Sequence, residues 1–493
     1  MTSNTSFIQR ALSRSFLYGA NSLLGKAIGF IMLPIYTKYL TPADYGVASF
    51  LLLYVALVQV VLGVKLESAI SKFHYDKTIN ANLNQIISTA NVLTAIACII
   101  PVIGSIFFAD YISLILFSTT DHSLLVAILS GSILFGTLEL YNMQYIRIRD
   151  KAIIYVVISV TGLLIQVTIN IIVIVVLNMG VIGVIISNVI AAGFKWLVSG
   201  LYMISQEGMP RFSRALVKPL VLFSAPLWLS GILGLYAGSA HQIFINYFGT
   251  LTDLGLYNLG ATLALLIGTF AFGPFWSFWQ VERFKIQHEK NAKQKYRRIF
   301  IGLLVIGALM SIGISTFAIP VIILMADSAF HPAYYVVSLL CVSTTYNYLA
   351  TYVGFSFLIS NNNGEIAKST FFFAIATTLF LAIFVPKFGF IGAAIAVLLG
   401  SMFNFYYVTF RAKRFFDMDI PVVLSSIVLA VITLICILLT LAYNASPSLT
   451  FYTISGAAFN LVLCIIALLY AKHKFPLFYK KLTSNLTFLS NAR

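Results

Sequence analysis

The sequence predicts an all-α polytopic membrane protein of about 14 transmembrane helices, arranged as two pseudo-symmetric six-helix lobes with two further C-terminal helices. Three observations carry that fold class: apolar runs of spanning length, basic residues confined to alternate connections, and a repeat at an offset of 209 residues.

A helix rising ~1.5 Å per residue needs about 20 apolar residues to cross a hydrocarbon core of ~30 Å. Such runs fall at roughly 13–37, 45–64, 86–108, 122–145, 152–177, 180–204, 219–248, 254–281, 299–326, 332–360, 366–385, 389–410, 420–443 and 449–471. With 60% hydrophobic and 9% charged residues the chain is not a soluble globular domain, whose charged share is about 25%. The first run follows Arg10 and Arg14 but holds Asn21, Lys26 and Pro34 and no small-residue cleavage site, so it reads as a span and not a cleaved signal. Cys98, Cys341, Cys436 and Cys464 fall inside runs and read as small packing residues, with no disulfide or metal set among them.

Placing Arg10 and Arg14 in the cytoplasm puts 27 of the 31 lysines and arginines on the cytoplasmic side, seven of them between Arg283 and Arg298. The opposite face holds only Lys38 and Lys387, beside Asp44, Asp110, Asp121, Asp253 and Asp327. This is the positive-inside pattern, and it puts both termini in the cytoplasm. It also accounts for the net charge of +16 without nucleic acid, since the basic residues sit in short loops beside spans and not on one folded face.

The repeat pairs Asp44 and Gly46 with Asp253 and Gly255, and Gly180 and Gly183 with Gly389 and Gly392. An offset covering six helices keeps both copies in the same orientation, as in transporters that rock two bundles about a central site. The expected organisation is an N-terminal lobe over 1–205 (helices 1–6), a cytoplasmic linker over 206–218, a C-terminal lobe over 219–412 (helices 7–12), and helices 13–14 with a basic cytoplasmic tail over 413–493. No connection leaves room for a soluble catalytic domain of at least ~50 residues, and no catalytic motif stands out, so the chain does not read as an enzyme. Asp417-Met418-Asp419 matches the D-x-D of metal-dependent glycosyltransferases, but Ile420-Pro421 follows, so Asp419 is expected to cap the next helix.

Ionisable residues deep in a span cost ~2.5–3.5 kcal/mol each on insertion scales and so need compensation or a use. Lys26 lies mid-span on a small-residue face with Ser22, Gly29 and Gly19. Lys195 is also near mid-depth, with Asn188, Ala191 and Ala192 on its face, and Glu139 lies in the cytoplasmic third of its run. Two deep cations against one acid suit a cavity that takes an anion, although Glu139 paired with one lysine would be a purely structural feature. His241, beside Gly234, Ala237 and Gly238, is either a cavity residue or a hydrogen-bonded core histidine. Asp44 and Asp253 begin spans on the outer face, where they cap helices and are placed to act as a gate. Trp276 and Trp279, with Phe272, Phe275 and Phe278, form either an interfacial belt or an aromatic wall for sugar stacking.

The stretch Leu33-Pro34-Ile35-Tyr36-Thr37-Lys38-Tyr39-Leu40-Thr41-Pro42-Ala43-Asp44-Tyr45-Gly46 resembles the first hairpin of the bacterial polysaccharide-repeat-unit flippases, where L-P-x-x-x-x-x-L-x-x-x-x-Y-G is typical. Phe223-Ser224-Ala225-Pro226, the Asp253-x-Gly255-x-Tyr257 stretch and the glycine pattern at 389–395 are similar too. These flippases belong to the multidrug/oligosaccharidyl-lipid/polysaccharide exporter superfamily. The resemblance implies translocation of an undecaprenyl-diphosphate-linked oligosaccharide across the bacterial cytoplasmic (inner) membrane by alternating access, for O-antigen, lipopolysaccharide or capsule-type polysaccharide biosynthesis. It further implies contact with membrane lipid, with a glycan polymerase and with other assembly proteins. No cofactor is expected, and drive would come from protons, sodium or membrane potential. The competing readings are a cation-coupled multidrug exporter of the same superfamily, which would favour acidic cavity residues, and a membrane-embedded glycan polymerase or ligase, which would need a large outward loop.

Overall fold

The structure is a computed structural model that describes Gly25 and residues 29–445, apart from 64, 76–80, 274, 277–278, 280–282, 284–285, 288 and 361. Most of the first apolar run, with Lys26, and all of the last, with Cys464, lie outside the described residues. No strand occurs among the described residues, as hydrocarbon requires of a chain that must satisfy its backbone polar groups within each segment.

In chain order the elements are α1 (Leu33–Tyr39), α2 (Pro42–Gly63), α3 (Leu66–Tyr75), α4 (Leu83–Phe107), α5 (Ala109–Phe117), α6 (Ser123–Ile148) and α7 (Ala152–Asn170). There follow α8 (Val181–Glu207), α9 (Arg214–Phe248), α10 (Leu251–Ala264), α11 (Ala292–Met325), α12 (Tyr334–Ile359), α13 (Asn363–Ala412) and α14 (Val422–Ala445). Wider π-helical turns extend α7 over Ile171–Val176 and follow α10 over Gly268–Phe272. Local chemistry sets several boundaries. Asn82 and Gln85 form a reciprocal capping box at the start of α4, and Lys65 at φ 55° turns the chain from α2 into α3. α3 is amphipathic, with Leu66, Ala69, Ile70 and Phe73 buried at helical spacing.

Every apolar run from 45–64 to 420–443 has a helical counterpart. Nine helices among the described residues are long and apolar enough to cross a membrane, or ten if α9, bent by 48° between Ala225 and Leu227, is one span. Beyond the first and last runs, which lie mostly or wholly outside the described residues, and the bent α9, two features separate that number from the number of runs. α13 is continuous by hydrogen bonding, but Gly389 interrupts it at φ 54° and ψ −134°. Gly400 then packs on Thr377, 23 positions earlier in the chain, so the two arms are separate antiparallel helices. α12, which is rich in hydroxyls, is not among the nine.

The chain forms two compact units. The first comprises residues up to Leu259, Met325–Phe330 and Asn363–Gly400. Its core has one cluster around Ile70, Ile86, Ile87, Tyr141 and Ile146 and another around Leu51, Val126, Leu129, Ile133 and Ile185. The second comprises Gly260–Leu324, His331–Asn362 and residues from Ser401 onward. Its centre is α12, whose hydroxyls bond to neighbouring helices: Thr345 to Ser311 at 2.9 Å, Ser343 to Ser401 at 2.8 Å and Ser338 to Thr440 at 3.1 Å. Such bonds between helices replace water for polar groups inside the bilayer.

The repeat at 209 positions reappears in the backbone. Gly180 adopts φ 56° and ψ −131°, and Gly389 adopts φ 54° and ψ −134°, a region open to glycine and strained for other residues. Three residues on, Gly183 packs against Ile174 and Gly392 against the carbonyl of Phe384, so each glycine lets its helix lie against the preceding one.

The D-x-D segment departs from its expected role. Asp419 sits at φ 52° and caps no helix. It accepts a hydrogen bond from Arg297 at 2.8 Å, and Asp417 accepts one from Lys293 at 3.3 Å. Lys293 and Arg297 are four residues apart and lie on one face of α11, and that basic ladder takes both carboxylates.

Candidate functional site

A cavity of about 420 Å³ opens within the first unit, on stripes from neighbouring helices. α6 supplies Glu139, Leu140, Met143, Gln144 and Arg147, a set whose spacing keeps it on one helical face. α7 supplies Tyr155, Ser159 and Leu163, α8 supplies Lys195, and Glu67 enters from α3.

Lys195 and Glu139 meet in its lining. The lysine Nζ lies 2.8 Å from Glu139 Oε1, with 27% and 14% of the two side chains exposed. Gly162 of α7 makes room for the lysine stem, since a Cβ there would stand 2.6 Å from Lys195 Cγ. Arg147 donates to Gln144 Oε1 at 3.0 Å and to the Tyr155 hydroxyl at 3.2 Å, and its guanidinium lies over the Tyr155 ring. Glu67 is 3.7 Å from Lys65. The described lining therefore holds two acids and two bases. Glu67 joins Glu139 there and Lys195 has an anionic partner, while Lys26, the other deep cation expected from the sequence, lies outside the described residues.

Beside the cavity, Glu207 at the end of α8 accepts from Arg149 and from the Tyr145 hydroxyl, and its backbone carbonyl accepts from Asn84. His74 of α3 belongs to the same cluster. Burial and the nearby Arg149 guanidinium push it below the usual histidine range, while Glu207 partly opposes that shift.

The remaining residues singled out from the sequence lie elsewhere. Lys26 is outside the described residues, although its neighbour Gly25 lines the cavity. Asn188 does not line it and donates to Val184 O on its own helix at 3.2 Å. His241 packs its ring 4.5 Å from that of Tyr257, between α9 and α10. Asp44 and Asp253 cap α2 and α10 by the same bonds: each carboxylate accepts from the backbone and hydroxyl of Thr41 or Thr250, at 2.7–3.0 Å. Trp279 is fully buried, stacked on Tyr352 at 5.1 Å and edge-on to Tyr296, while Trp276 meets Phe275 at 5.5 Å. In this structure Trp279 is core and not an accessible wall. Sequence reasoning missed Glu67, Tyr155 and Gly162 as cavity neighbours. The amphipathic spacing of α3 was a usable signal for Glu67; nothing in the α7 sequence marks Gly162.

Residues 35–274 match the family described as Polysaccharide biosynthesis protein. An Lsg locus protein of Haemophilus influenzae is 25% identical over 258 residues, covering 51% of this chain and 61% of that protein, so under two thirds of the relative's length is spanned. Among solved structures, the lipid II flippase MurJ in an inward closed conformation aligns with a TM-score of 0.71 at 13% identity, over 95% of this chain and 100% of that one. An inward-facing multidrug resistance MATE family transporter of the MOP superfamily aligns at 0.65 and 16% identity, over 82% and 98%. At these identities the structural likeness is one of fold. The family match agrees with the polysaccharide-biosynthesis side of the resemblance drawn from the sequence, and the solved structures agree with its fold.

Proposed function

We propose that this multi-pass membrane chain, with the fold shared by MurJ and MATE transporters and a polysaccharide biosynthesis match over residues 35–274, moves an undecaprenyl-diphosphate-linked oligosaccharide across the bacterial cytoplasmic membrane. The observation that carries this reading is a cavity of about 420 Å³ among membrane helices, presenting Lys195 and Arg147. A sugar diphosphate cannot enter hydrocarbon unaided, because its charges and hydroxyls lose their water. A cavity with cationic side chains supplies counter-charge while the polyprenyl tail stays in lipid.

The Lys195–Glu139 pair gives the empty carrier a specific property. With no cargo, the lysine is compensated by the carboxylate, and the cavity holds no uncompensated Lys195 charge during the return step. An arriving diphosphate competes with Glu139 for Lys195 and draws on Arg147, and loaded and empty carriers thereby favour different states. The exported glycan is O-antigen or a capsule-type polymer, with a polymerase acting downstream.

Glu67 and Glu139 in the lining favour a second reading, export of a cationic drug. One experiment separates the two. Purified protein in proteoliposomes is given a fluorescent polyprenyl-diphosphate disaccharide or, separately, a cationic dye. Flipping of the lipid-linked sugar, reduced at least tenfold in Lys195→Ala, is the expected result; dye transport without sugar flipping overturns it. In cells, the Lys26→Ala, Lys195→Ala double variant is expected to insert in the membrane but lose surface glycan, and normal display would refute the cationic role.

A further inference from the structure

Two copies of one six-residue unit meet in the first unit of the fold, on the side away from the basic connections. The copies are Thr41–Gly46 at the start of α2 and Thr250–Gly255 at the start of α10, each of the form Thr-x-x-Asp-x-Gly and 209 positions apart. Their contact is reciprocal. A Cβ built on Gly46 would overlap the carbonyl of Leu251 and stand 3.2 Å from Gly255 N, and one built on Gly255 would overlap the carbonyl of Pro42 and stand 3.2 Å from Gly46 N. Pro42 and Leu251 are themselves 209 positions apart, so each half uses the same atoms on the other, as in an isologous two-fold contact.

Backbones approach this closely only where both helices present glycine. The capping bonds of the two halves also close internally: Thr41 with Asp44, and Thr250 with Asp253. Parting the halves therefore breaks none of these capping bonds. The other end of α2 is held differently, by the Trp228 Nε1 bond to Val60 O at 3.0 Å.

We propose that Gly46 and Gly255 form the closed state of a gate on the face opposite the basic loops, with closure allowed by the absence of side chains at both positions. The inference rests on the flippase reading, which requires that face to open in turn. Asp44 and Asp253 preserve each helix start during movement, and the glycines determine whether the gate shuts.

The test places spin labels on the equivalent residues Ala43 and Thr252, with the four native cysteines replaced, in nanodiscs of phosphatidylethanolamine and phosphatidylglycerol. Distances are measured with and without a polyprenyl-diphosphate disaccharide. The wild-type gate should give a short and a long distance. Gly46→Ala and Gly255→Ala should each lower the short-distance fraction about tenfold, the ratio that a loss of about 1.4 kcal/mol gives. Gly104→Ala, where a Cβ meets nothing within 4 Å, should leave the distribution unchanged. A single short distance in otherwise wild-type protein under both conditions overturns the gate, and this measurement decides the matter even if the alanine variants fail to accumulate. An unchanged distribution in folded alanine variants overturns it as well. Sugar flipping in proteoliposomes is scored separately: flipping with one fixed distance refutes only the gate, and two distances without flipping refute only the transported cargo.

Discussion

Lys195 and Glu139 face each other from α8 and α6, with Nζ 2.8 Å from Oε1 and the lysine stem laid over Gly162 of α7. Three helices thus fix one ion pair, and most of its stabilising effect comes from keeping either charge from standing alone.

Removing one partner should therefore cost more than removing both. Glu139→Gln or Lys195→Met alone is expected to destabilise by about 2 kcal/mol, below the ~3–5 kcal/mol of a fully buried pair because part of each side chain is exposed. The double variant should recover part of that loss. Thermal unfolding in detergent, analysed as a double-mutant cycle, checks this, and strictly additive losses would rule out the coupling.

Gly180 and Gly389 share one strained backbone conformation. Alanine at either should cost ~1–3 kcal/mol, with similar losses at the two sites. Gly234→Ala, where a Cβ meets nothing within 4 Å, should lose no more than the usual helical tolerance. Fluorescence-detected thermal melts of the three variants suffice, and a neutral Gly389→Ala would contradict the strain argued for that conformation.

The pairs Lys293–Asp417 and Arg297–Asp419 are about half-exposed, so each should contribute only ~0–1 kcal/mol and fade with salt. Asp419→Asn is expected to shift the melt by no more than a few degrees at low ionic strength and by nothing measurable at high salt. A large, salt-insensitive loss would point to a cation held by the D-x-D segment.

His74 binds its proton less readily when folded than when unfolded, from burial and the neighbouring Arg149. The unfolded state therefore takes up more protons as pH falls through about 6.5, and stability declines below that point and is level above it. Melts between about pH 5 and 8 should show the decline in wild type and a flatter profile in His74→Gln.

Helix positions were legible in the sequence because spanning length and apolarity are local properties. Lys195 and Glu139 were legible for a related reason: a charge at mid-depth stands out against its own segment. Glu67 and Tyr155 did not stand out, since each lies near a helix end where polar residues are ordinary, and only packing turns them inward. The sequence also misled at Asp419, where a proline two residues on suggested a cap and a basic ladder from a distant helix took the carboxylate instead. Asp44 and Asp253 were expected as caps, but their threonine partners were not, and the glycine contact beside them depends on two segments about 200 residues apart meeting in space.

The hydroxyl-rich α12 has a consequence for biogenesis. Its polar side chains find partners on α11, on the second arm of α13 and on α14. Those last partners are synthesised after it. Until the C-terminal helices emerge, Ser343 and Ser338 of α12 should accordingly lack these partners in the bilayer, and truncation before Val422 should leave the helix exposed to membrane quality-control proteases.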